Sequence, residues 1–296
     1  MPPLARLRSH LLVPALIVGL LALVPTAMAA SGGTIVFQSN RGGPAAVYTV
    51  APNGSDLRRL GVGLHPAISR DGTKIVFVRT SAAGAELWVL NTPDGKVERI
   101  TDDAKADTEP AISADGSKIV FVGSPRPGGD PNEGKRQLFL IDADGSNERQ
   151  LTHGPDTAGE PSFSPDGKRI VFVRTSRFTQ LMTVTVGGDD LTPVTDRDER
   201  FTGPAAPSYS PDGNRILFDA SDGGGDRIWT IGADGGSLDR VSKGDDEGVE
   251  PAYSPDGASI VFRRGRDLLT MDADGSGVQQ LVAGEKGGNI HPSWGR

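Results

Sequence analysis

The stretch that decides the fold is EPSFSPDGKRIVFV, residues 160–173, because versions of it recur along the chain. The prolines that anchor the copies are spaced by 44, 51, 46, 44 and 41 residues. Internal repeats with such a period predict an array built from one small structural unit. The copies are HPAISRDGTKIVFV from His65, EPAISADGSKIVFV from Glu109, APSYSPDGNRILFD from Ala206, EPAYSPDGASIVFR from Glu250 and a shorter HPSWGR from His291.

A second pattern follows each apolar run and consists of two short segments around an Asn-Gly, Asp-Gly or Gly-Gly pair. Such pairs favour the tight turns of β-hairpins, so each copy predicts two further strands. Each repeat therefore contains four predicted strands. The hairpins are AVYTVAPNGSDLRRL from Ala46, ELWVLNTPDGKVERIT from Glu86, QLFLIDADGSNERQLT from Gln137, QLMTVTVGGDDLTPVT from Gln180, RIWTIGADGGSLDRVS from Arg227 and DLLTMDADGSGVQQLV from Asp267.

The composition favours an all-β protein with many tight turns, since Gly supplies 40 and Pro 22 of the 296 residues. No segment after residue 30 shows the sustained 3.6-residue apolar period of a helix. Four-stranded units that repeat at this period predict the blades of a β-propeller. We expect six blades, with the C-terminal strand around Pro292 joining the blade that residues 34–37 begin. The alternative, an open array, would leave sheet edges and interfaces exposed.

Residues 1–30 differ in character from the rest of the chain. Arg6 and Arg8 precede an apolar run over residues 11–24, and small residues follow at 27–29, a pattern typical of a secretory signal peptide. We therefore expect a signal peptide at residues 1–30 and a propeller at residues 31–296. The expected location is the periplasm, the cell envelope or the medium. Because the chain has no cysteine, we expect no lipid anchor on cysteine and no disulfide.

The formal net charge of −7 and the lack of a basic stripe argue against a nucleic-acid partner. No second apolar run is long enough to span a bilayer. We expect a monomer that meets a protein or peptide partner, without an integral membrane span.

The repeat reads roughly P-x-Φ-S-P-D-G-x-x-Φ-x-Φ, where Φ is apolar or aromatic, and it resembles that of the TolB-type WD40-like propellers. The resemblance covers residues 34–296 and implies a six-bladed propeller. TolB carries an additional α/β domain before its propeller, and this sequence shows the propeller alone. The same repeat forms the propeller of prolyl-oligopeptidase-type peptidases, whose hydrolase domain this sequence also does not show.

The Ser-Pro-Asp-Gly segment at residues 164–167 invites a catalytic interpretation through its serine. A serine nucleophile needs a base and an orienting third group, and the chain has no G-x-S-x-G motif. The same serine recurs in five turns. The segment therefore predicts a structural turn between the first two strands of a blade. Asp-x-Asp-Gly segments such as residues 142–145 likewise predict hairpin turns, because a calcium loop needs further ligands.

The loops that lead from the outermost strand of one blade to the innermost strand of the next run toward the channel of a propeller. They hold fourteen Asp and Glu residues against five Lys and Arg. The loops between second and third strands, which lie further out, are mildly basic and include Arg263. We therefore expect negative potential to be focused at the channel mouth.

The residue before each anchoring proline defines a ring that we call the collar. Two neighbouring histidines flanked by carboxylates indicate a cation site, and the alternative is a hydrated ring whose side chains bind backbone groups or water. Carboxylates suit calcium, whereas histidines suit a transition metal. Around the predicted ring the members are His291, His65, Glu109, Glu160, Ala206 and Glu250. The candidate metal ligands are His65, His291, Glu109 and Glu250.

Arg200 and Phe201 are further candidates for ligand contact, because they lie in the longest of these loops, residues 196–206. Two functions fit the sequence. The first is a non-catalytic binding module or scaffold for a protein segment or a cationic ligand at the acidic mouth. The second is a metal-dependent polysaccharide lyase or hydrolase that uses channel His and Glu, as the resemblance to oligogalacturonate lyases implies. We favour the first, since an acidic funnel repels anionic polyuronides unless a metal reverses the local charge.

Overall fold

The computed structural model describes residues 32–82, 84–102, 106–124, 135–196, 200–284 and 287–296. Within these ranges the chain forms strands and turns and contains no helix. The strands make six four-stranded sheets whose neighbours run antiparallel. This architecture is a six-bladed β-propeller, and it confirms the fold predicted from the repeat.

Five blades each use four strands that follow one another along the chain, and the first strand of each lines the channel. Blade 2 has β4 (Leu64–Ile68), β5 (Lys74–Ser81), β6 (Gly84–Asn91) and β7 (Val97–Arg99). Blade 3 has β8 (Thr108–Ile112), β9 (Lys118–Gly123), β10 (Gln137–Asp142) and β11 (Arg149–Gln150). Blade 4 has β12 (Thr157–Phe163), β13 (Arg169–Thr175), β14 (Thr179–Thr185) and β15 (Thr192–Pro193). Blade 5 has β16 (Thr202–Tyr209), β17 (Arg215–Ser221), β18 (Asp226–Gly232) and β19 (Asp239–Arg240). Blade 6 has β20 (Val249–Tyr253), β21 (Ser259–Arg264), β22 (Asp267–Asp272) and β23 (Gln279–Val282).

Blade 1 closes the ring with strands from both ends of the propeller. Across its sheet the order is β24 (Asn289–Gly295), β1 (Thr34–Ser39), β2 (Ala46–Val50) and β3 (Arg58–Val62). The last strand runs antiparallel to the first, and Ile35 lies opposite Trp294. The predicted closure by the C-terminal strand is therefore confirmed.

Apolar contacts between neighbouring blades hold the ring together. Phe163, the large residue of an inner strand, shares one buried cluster with Val122 of blade 3 and Phe172 of blade 4. It therefore packs between blades 3 and 4. Burying a phenylalanine contributes roughly 1.5–3 kcal/mol. The second strand of every blade supplies one buried phenylalanine. The side chains of all six are at most 5% exposed: Phe37, Phe77, Phe121, Phe172, Phe218 and Phe262.

The Ser-Pro-Asp-Gly turn is held by its own serine and aspartate. The Ser164 hydroxyl donates to Asp166 Oδ1 at 2.6 Å and accepts the backbone N–H of Arg169 at 2.9 Å. Gly167 has a φ of 68°, which favours glycine, and donates its N–H to the Ser164 carbonyl. The serine hydrogen bond, followed by that from a backbone N–H, lowers the pKa of Asp166. The same 2.6 Å bond occurs in the other four turns of this type, which makes these serines structural.

The predicted signal peptide, residues 1–30, lies outside the described residues. Across the ranges that are described, no helix has the length and apolar character needed to traverse a lipid bilayer.

Candidate functional site at the channel mouth

The six collar residues lie together around one cavity, as the sequence predicts. The cavity has a volume of about 370 Å³ and is lined by residues from every blade. Asp219 and Arg263 line the same cavity, although neither was predicted at the collar. The collar members that line it are His291, His65, Glu109, Glu160, Ala206 and Glu250.

Every collar residue has a left-handed backbone conformation, with φ between 47° and 54°. This conformation is uncommon for residues other than glycine. It coincides with an irregularity in the pairing of the inner strand, for example between Gly159 and Ser162 in blade 4. Such a bulge takes the local N–H group out of the ladder of its own sheet. Each collar N–H therefore needs an acceptor from outside its own blade.

Collar side chains of one blade accept the collar N–H groups of the next. Glu109 Oε2 accepts the N–H of Glu160 at 2.9 Å, and Glu160 Oε2 accepts that of Ala206 at 2.6 Å. Glu250 Oε2 accepts the N–H of His291 at 2.6 Å. Part of the collar's polar chemistry is therefore structural, as the hydrated-ring alternative proposed.

At two blade boundaries a residue of the second strand provides the acceptor. Ala206 has no polar side chain, and Asp219 of the same blade accepts the N–H of Glu250 at 2.8 Å. Gln38 of blade 1 likewise accepts the N–H of His65 at 3.0 Å. With the longer bond of 3.5 Å from the Glu109 N–H to His65 Nδ1, six hydrogen bonds link the six blades in a closed ring.

The repeat contains a signal that would have identified these partners. Asp219 and Gln38 each follow the buried phenylalanine of the second strand, in ILFD at 216–219 and IVFQ at 35–38. Three blades have valine at this position, and blade 6 has Arg263. A polar residue where the repeat otherwise places valine indicates a polar partner nearby, because polar groups are rarely buried unpaired.

Arginines neutralise two of the collar carboxylates. Arg136 forms an ion pair with Glu109, and Arg263 Nη2 lies 3.2 Å from Glu250 Oε1. We expected Arg263 in a basic loop further out, and the structure corrects this expectation. β21 extends through Arg263, which pairs with Val249 beside the collar and therefore lies at the cavity rather than in a loop further out.

Glu160 and Asp219 have no arginine partner among the described residues. Asp219 is 7% exposed, and this burial raises its pKa to about 7, with the charges of Glu160 and Glu250 acting in the same direction. The side chain of Glu160 reaches solvent, yet the surrounding ring removes much of its hydration. That desolvation raises the pKa of Glu160, and the nearby charges of Glu109 and Glu250 add to the effect.

The two histidines lie edge to face, with ring centroids 4.5 Å apart. Burial lowers the pKa of His65 to about 4, and the neighbouring His291 acts in the same direction. Burial also lowers the pKa of His291. Both rings are therefore neutral at pH 7 and can offer a lone pair to a donor or a metal.

The four candidate metal ligands all line the cavity, but two of them have other partners. The two glutamates use their oxygens for arginine side chains and backbone N–H groups. Within the described residues, no group of three or more His, Asp or Glu is arranged to hold a metal ion. A metal held by His65, His291, Glu109 and Glu250 stays a prediction.

Phe201 does not line the cavity, and contact of Phe201 with a ligand stays a prediction. Its side chain is 5% exposed and packs against Phe218 and Trp229, with centroids 5.4 and 5.6 Å away. Phe201 immediately precedes β16, and its side chain lies in the buried cluster between blades 4 and 5. Arg200 is exposed and is not among the described residues that line the cavity.

No protein-family model matches the chain. A protein TolB homolog of Chlorobium luteolum is 29% identical over 155 residues, which are 48% of this chain and 31% of that protein. A TolB homolog of Chlorobium chlorochromatii is 28% identical over 146 residues, with the same two shares. The chain thus spans about a third of the length of these curated relatives.

Solved structures agree with this likeness at the level of the fold. The crystal structure of TolB from Acinetobacter baumannii superposes with a TM-score of 0.73 at 20% identity, over 88% of this chain and 66% of that one. A putative TolB from Agrobacterium tumefaciens gives a TM-score of 0.64 at 21% identity, over 90% and 100%. The chain is therefore a six-bladed β-propeller of four-stranded blades that resembles the TolB homologues in sequence and the TolB structures in fold.

Proposed function

We propose that this chain is a non-catalytic binding module whose collar holds a positively charged group of a protein partner. The TolB-like propeller fold supports a binding or scaffold role in general. The observation that carries the finer proposal is the pairing pattern of the collar. Of its carboxylates and those beside it in the cavity, Glu160 and Asp219 have no arginine partner among the described residues.

The net charge of the cavity is set by these two groups. The two arginine–glutamate pairs each sum to zero, and the two histidines are neutral at pH 7. Asp219, with a pKa of about 7, is near half ionised at neutral pH. A cation beside Glu160 and Asp219 would favour the charged form of both, since opposite charges attract strongly where water is partly excluded.

Ala206 leaves room for such a cation. It lies between the two acids in the ring and has no side-chain polar atom. Glu160 Oε2 and Asp219 Oδ1 each accept one backbone N–H, so the second oxygen of each carboxylate can accept from a ligand. An ammonium group carries three donors on a compact charge and matches two such acceptors.

The cavity volume limits what can enter. A space of about 370 Å³ admits a side chain or a chain end and excludes a folded domain. The ligand we assign is therefore a lysine side chain or an amino terminus presented by an exposed segment of a partner protein.

A titration followed by NMR tests this assignment with defined probes. The first probe is the peptide Gly-Gly-Lys-Gly-Gly with both ends capped, and its control carries an acetylated lysine. We expect the amine form to shift the resonances of collar residues and the acetylated form to leave them unchanged. Replacing both acids, Glu160→Gln with Asp219→Asn, should remove the effect, whereas Glu98→Gln on the exposed strand β7 should preserve it. Equal shifts from both peptides would overturn the proposal.

We also propose that the chain acts outside the cytoplasm without a lipid anchor on cysteine. The support is the signal-peptide pattern of residues 1–30 and the lack of cysteine. N-terminal sequencing of the protein from the envelope or the medium should begin just after Ala29 or Ala30. A chain that retains Met1 in the cytoplasm would contradict the proposal.

A further inference from the structure

The channel continues below the collar toward the face that carries the Ser-Pro-Asp-Gly turns. A second cavity, of about 150 Å³, lies at that end and is lined by residues from all six blades. The two cavities share one ring of small, partly exposed side chains, which makes them continuous. The shared residues are Ala67, Ala111, Ser162, Ser208, Ala252 and Ser293.

Arg70 spans this lower end of the channel. It belongs to the turn of blade 2, and its Nη1 donates to the Pro211 carbonyl of blade 5 at 2.9 Å. Its Nη2 donates to the Pro255 carbonyl of blade 6 at 2.6 Å. Blade 5 lies opposite blade 2 in a ring of six, so this guanidinium crosses the axis of the channel. The planar fork of arginine can serve two carbonyls at once, which lysine cannot do with the same geometry.

The sequence shows that Arg70 is an exception within the repeat. The same position is alanine or proline in the four other turns, at Ala114, Pro165, Pro211 and Pro255. Arg70 lines both the lower cavity and a separate groove on the turn face, and with Pro211 and Tyr253 it lies between them. In blade 1 the backbone N–H of Arg296 donates to the Arg70 carbonyl, which fixes the turn from its other side.

We propose that Arg70 closes the channel at the turn face, so that the channel is a blind funnel entered only through the collar. A blind funnel takes a side chain, a loop tip or a chain end, and it excludes a polymer that threads from one face to the other. This limit on ligand shape rests on the proposed function of the collar. The closure itself does not depend on any ligand.

A cysteine placed inside the channel tests the closure directly, because the chain contains no other cysteine. Ser162→Cys lies in the ring that the two cavities share, and iodoacetamide is small enough to reach it. A second change, Ala206→Trp, fills the mouth from the collar. Adding Arg70→Ala should then open the channel at the turn face. The control is Pro165→Ala, at the matching turn of blade 4.

With the mouth filled, we expect slow alkylation of the cysteine that rises roughly tenfold when Arg70 is replaced, since the rate follows the accessibility of the site. Pro165→Ala should leave the rate unchanged. If Arg70→Ala fails to fold by circular dichroism, Arg70→Pro supplies the residue that three other turns carry. An unchanged rate in a folded Arg70 variant would overturn the closure. Because no peptide takes part, this result is independent of whether the collar binds an amine.

Discussion

The carboxylate of Asp219 accepts the backbone N–H of Glu250 at 2.8 Å, across the boundary between blades 5 and 6. It supplies the acceptor that Ala206 cannot, and it completes the hydrogen-bonded ring of the collar. Asp219 is 7% exposed, so water cannot easily replace it in this contact. One residue thus links blade closure to the charge of the channel mouth.

Asp219→Ala should leave the propeller about 1–3 kcal/mol less stable than Asp219→Asn, because alanine leaves the Glu250 N–H without its acceptor. Asp219→Asn keeps an oxygen in the same place and serves as the matched control. Urea denaturation at pH 8 measures both free energies of unfolding. Equal stability of the alanine and asparagine variants would show that the bond does not support the ring.

The pH dependence of the free energy of unfolding should also reveal the raised pKa of Asp219. Its pKa rises from an ordinary 3.8 to about 7 in the folded chain, so the folded state binds this proton more tightly than the unfolded state. The contribution to stability is therefore full below pH 3.8 and is lost as the pH rises through 7. The largest contribution that this pKa shift can make to the free energy of unfolding is roughly 4 kcal/mol. Between pH 4 and 8 the wild-type chain should lose stability relative to Asp219→Asn, and parallel curves for the two chains would contradict the raised pKa.

Phe201→Ala should act on the fold and leave the collar intact. The ring packs on Phe218 and Trp229, so its removal creates a cavity in the core and costs about 3–5 kcal/mol. Thermal unfolding measures this loss. If the variant still folds, its lysine-peptide titration should match that of the wild-type chain, whereas lost binding without lost stability would support the prediction that Phe201 contacts a ligand.

A divalent cation at the collar must compete with two arginines. Replacing Arg136 and Arg263 together by glutamine frees Glu109 and Glu250, so calcium or manganese should bind roughly tenfold more tightly than to the wild-type chain. Isothermal titration calorimetry measures each affinity, and Arg58→Gln on exposed strand β3 is the control. Metal that binds the wild-type chain as tightly as the double variant would instead support the predicted metal site.

The sequence predicts the propeller ring because each sequence signal for its strands and turns is local. The anchoring prolines mark every inner strand, the Asp-Gly and Gly-Gly pairs mark the hairpins, and one position before the proline gives the whole collar. Closure by β24 follows from the incomplete repeat that starts at His291. These elements repeat, so each copy supports the others.

The partners of the collar are harder to predict, because they depend on the registers and contacts between different strands. Arg263 pairs with Val249 only once β20 and β21 are aligned, and Arg136, which immediately precedes β10, reaches Glu109 in β8 of the same blade. In the sequence, Arg70 is recognisable only as a turn residue that replaces proline. Its contacts are with turns on the far side of the propeller ring. Long side chains with partners in other blades leave no local pattern.

The affinity of the capped lysine peptide at pH 6 and pH 8 tests most directly whether the acids at the collar hold a cation. The charged groups that act on Asp219 are Glu160, Glu250 and Asp226, and the first two are collar members. As the pH rises through about 7, Asp219 ionises, so binding to the wild-type chain should tighten roughly tenfold. Asp219→Asn should flatten this dependence. Affinity that stays constant between the two pH values in the wild-type chain, or equal binding of the acetylated peptide, would contradict a cation site at Glu160 and Asp219.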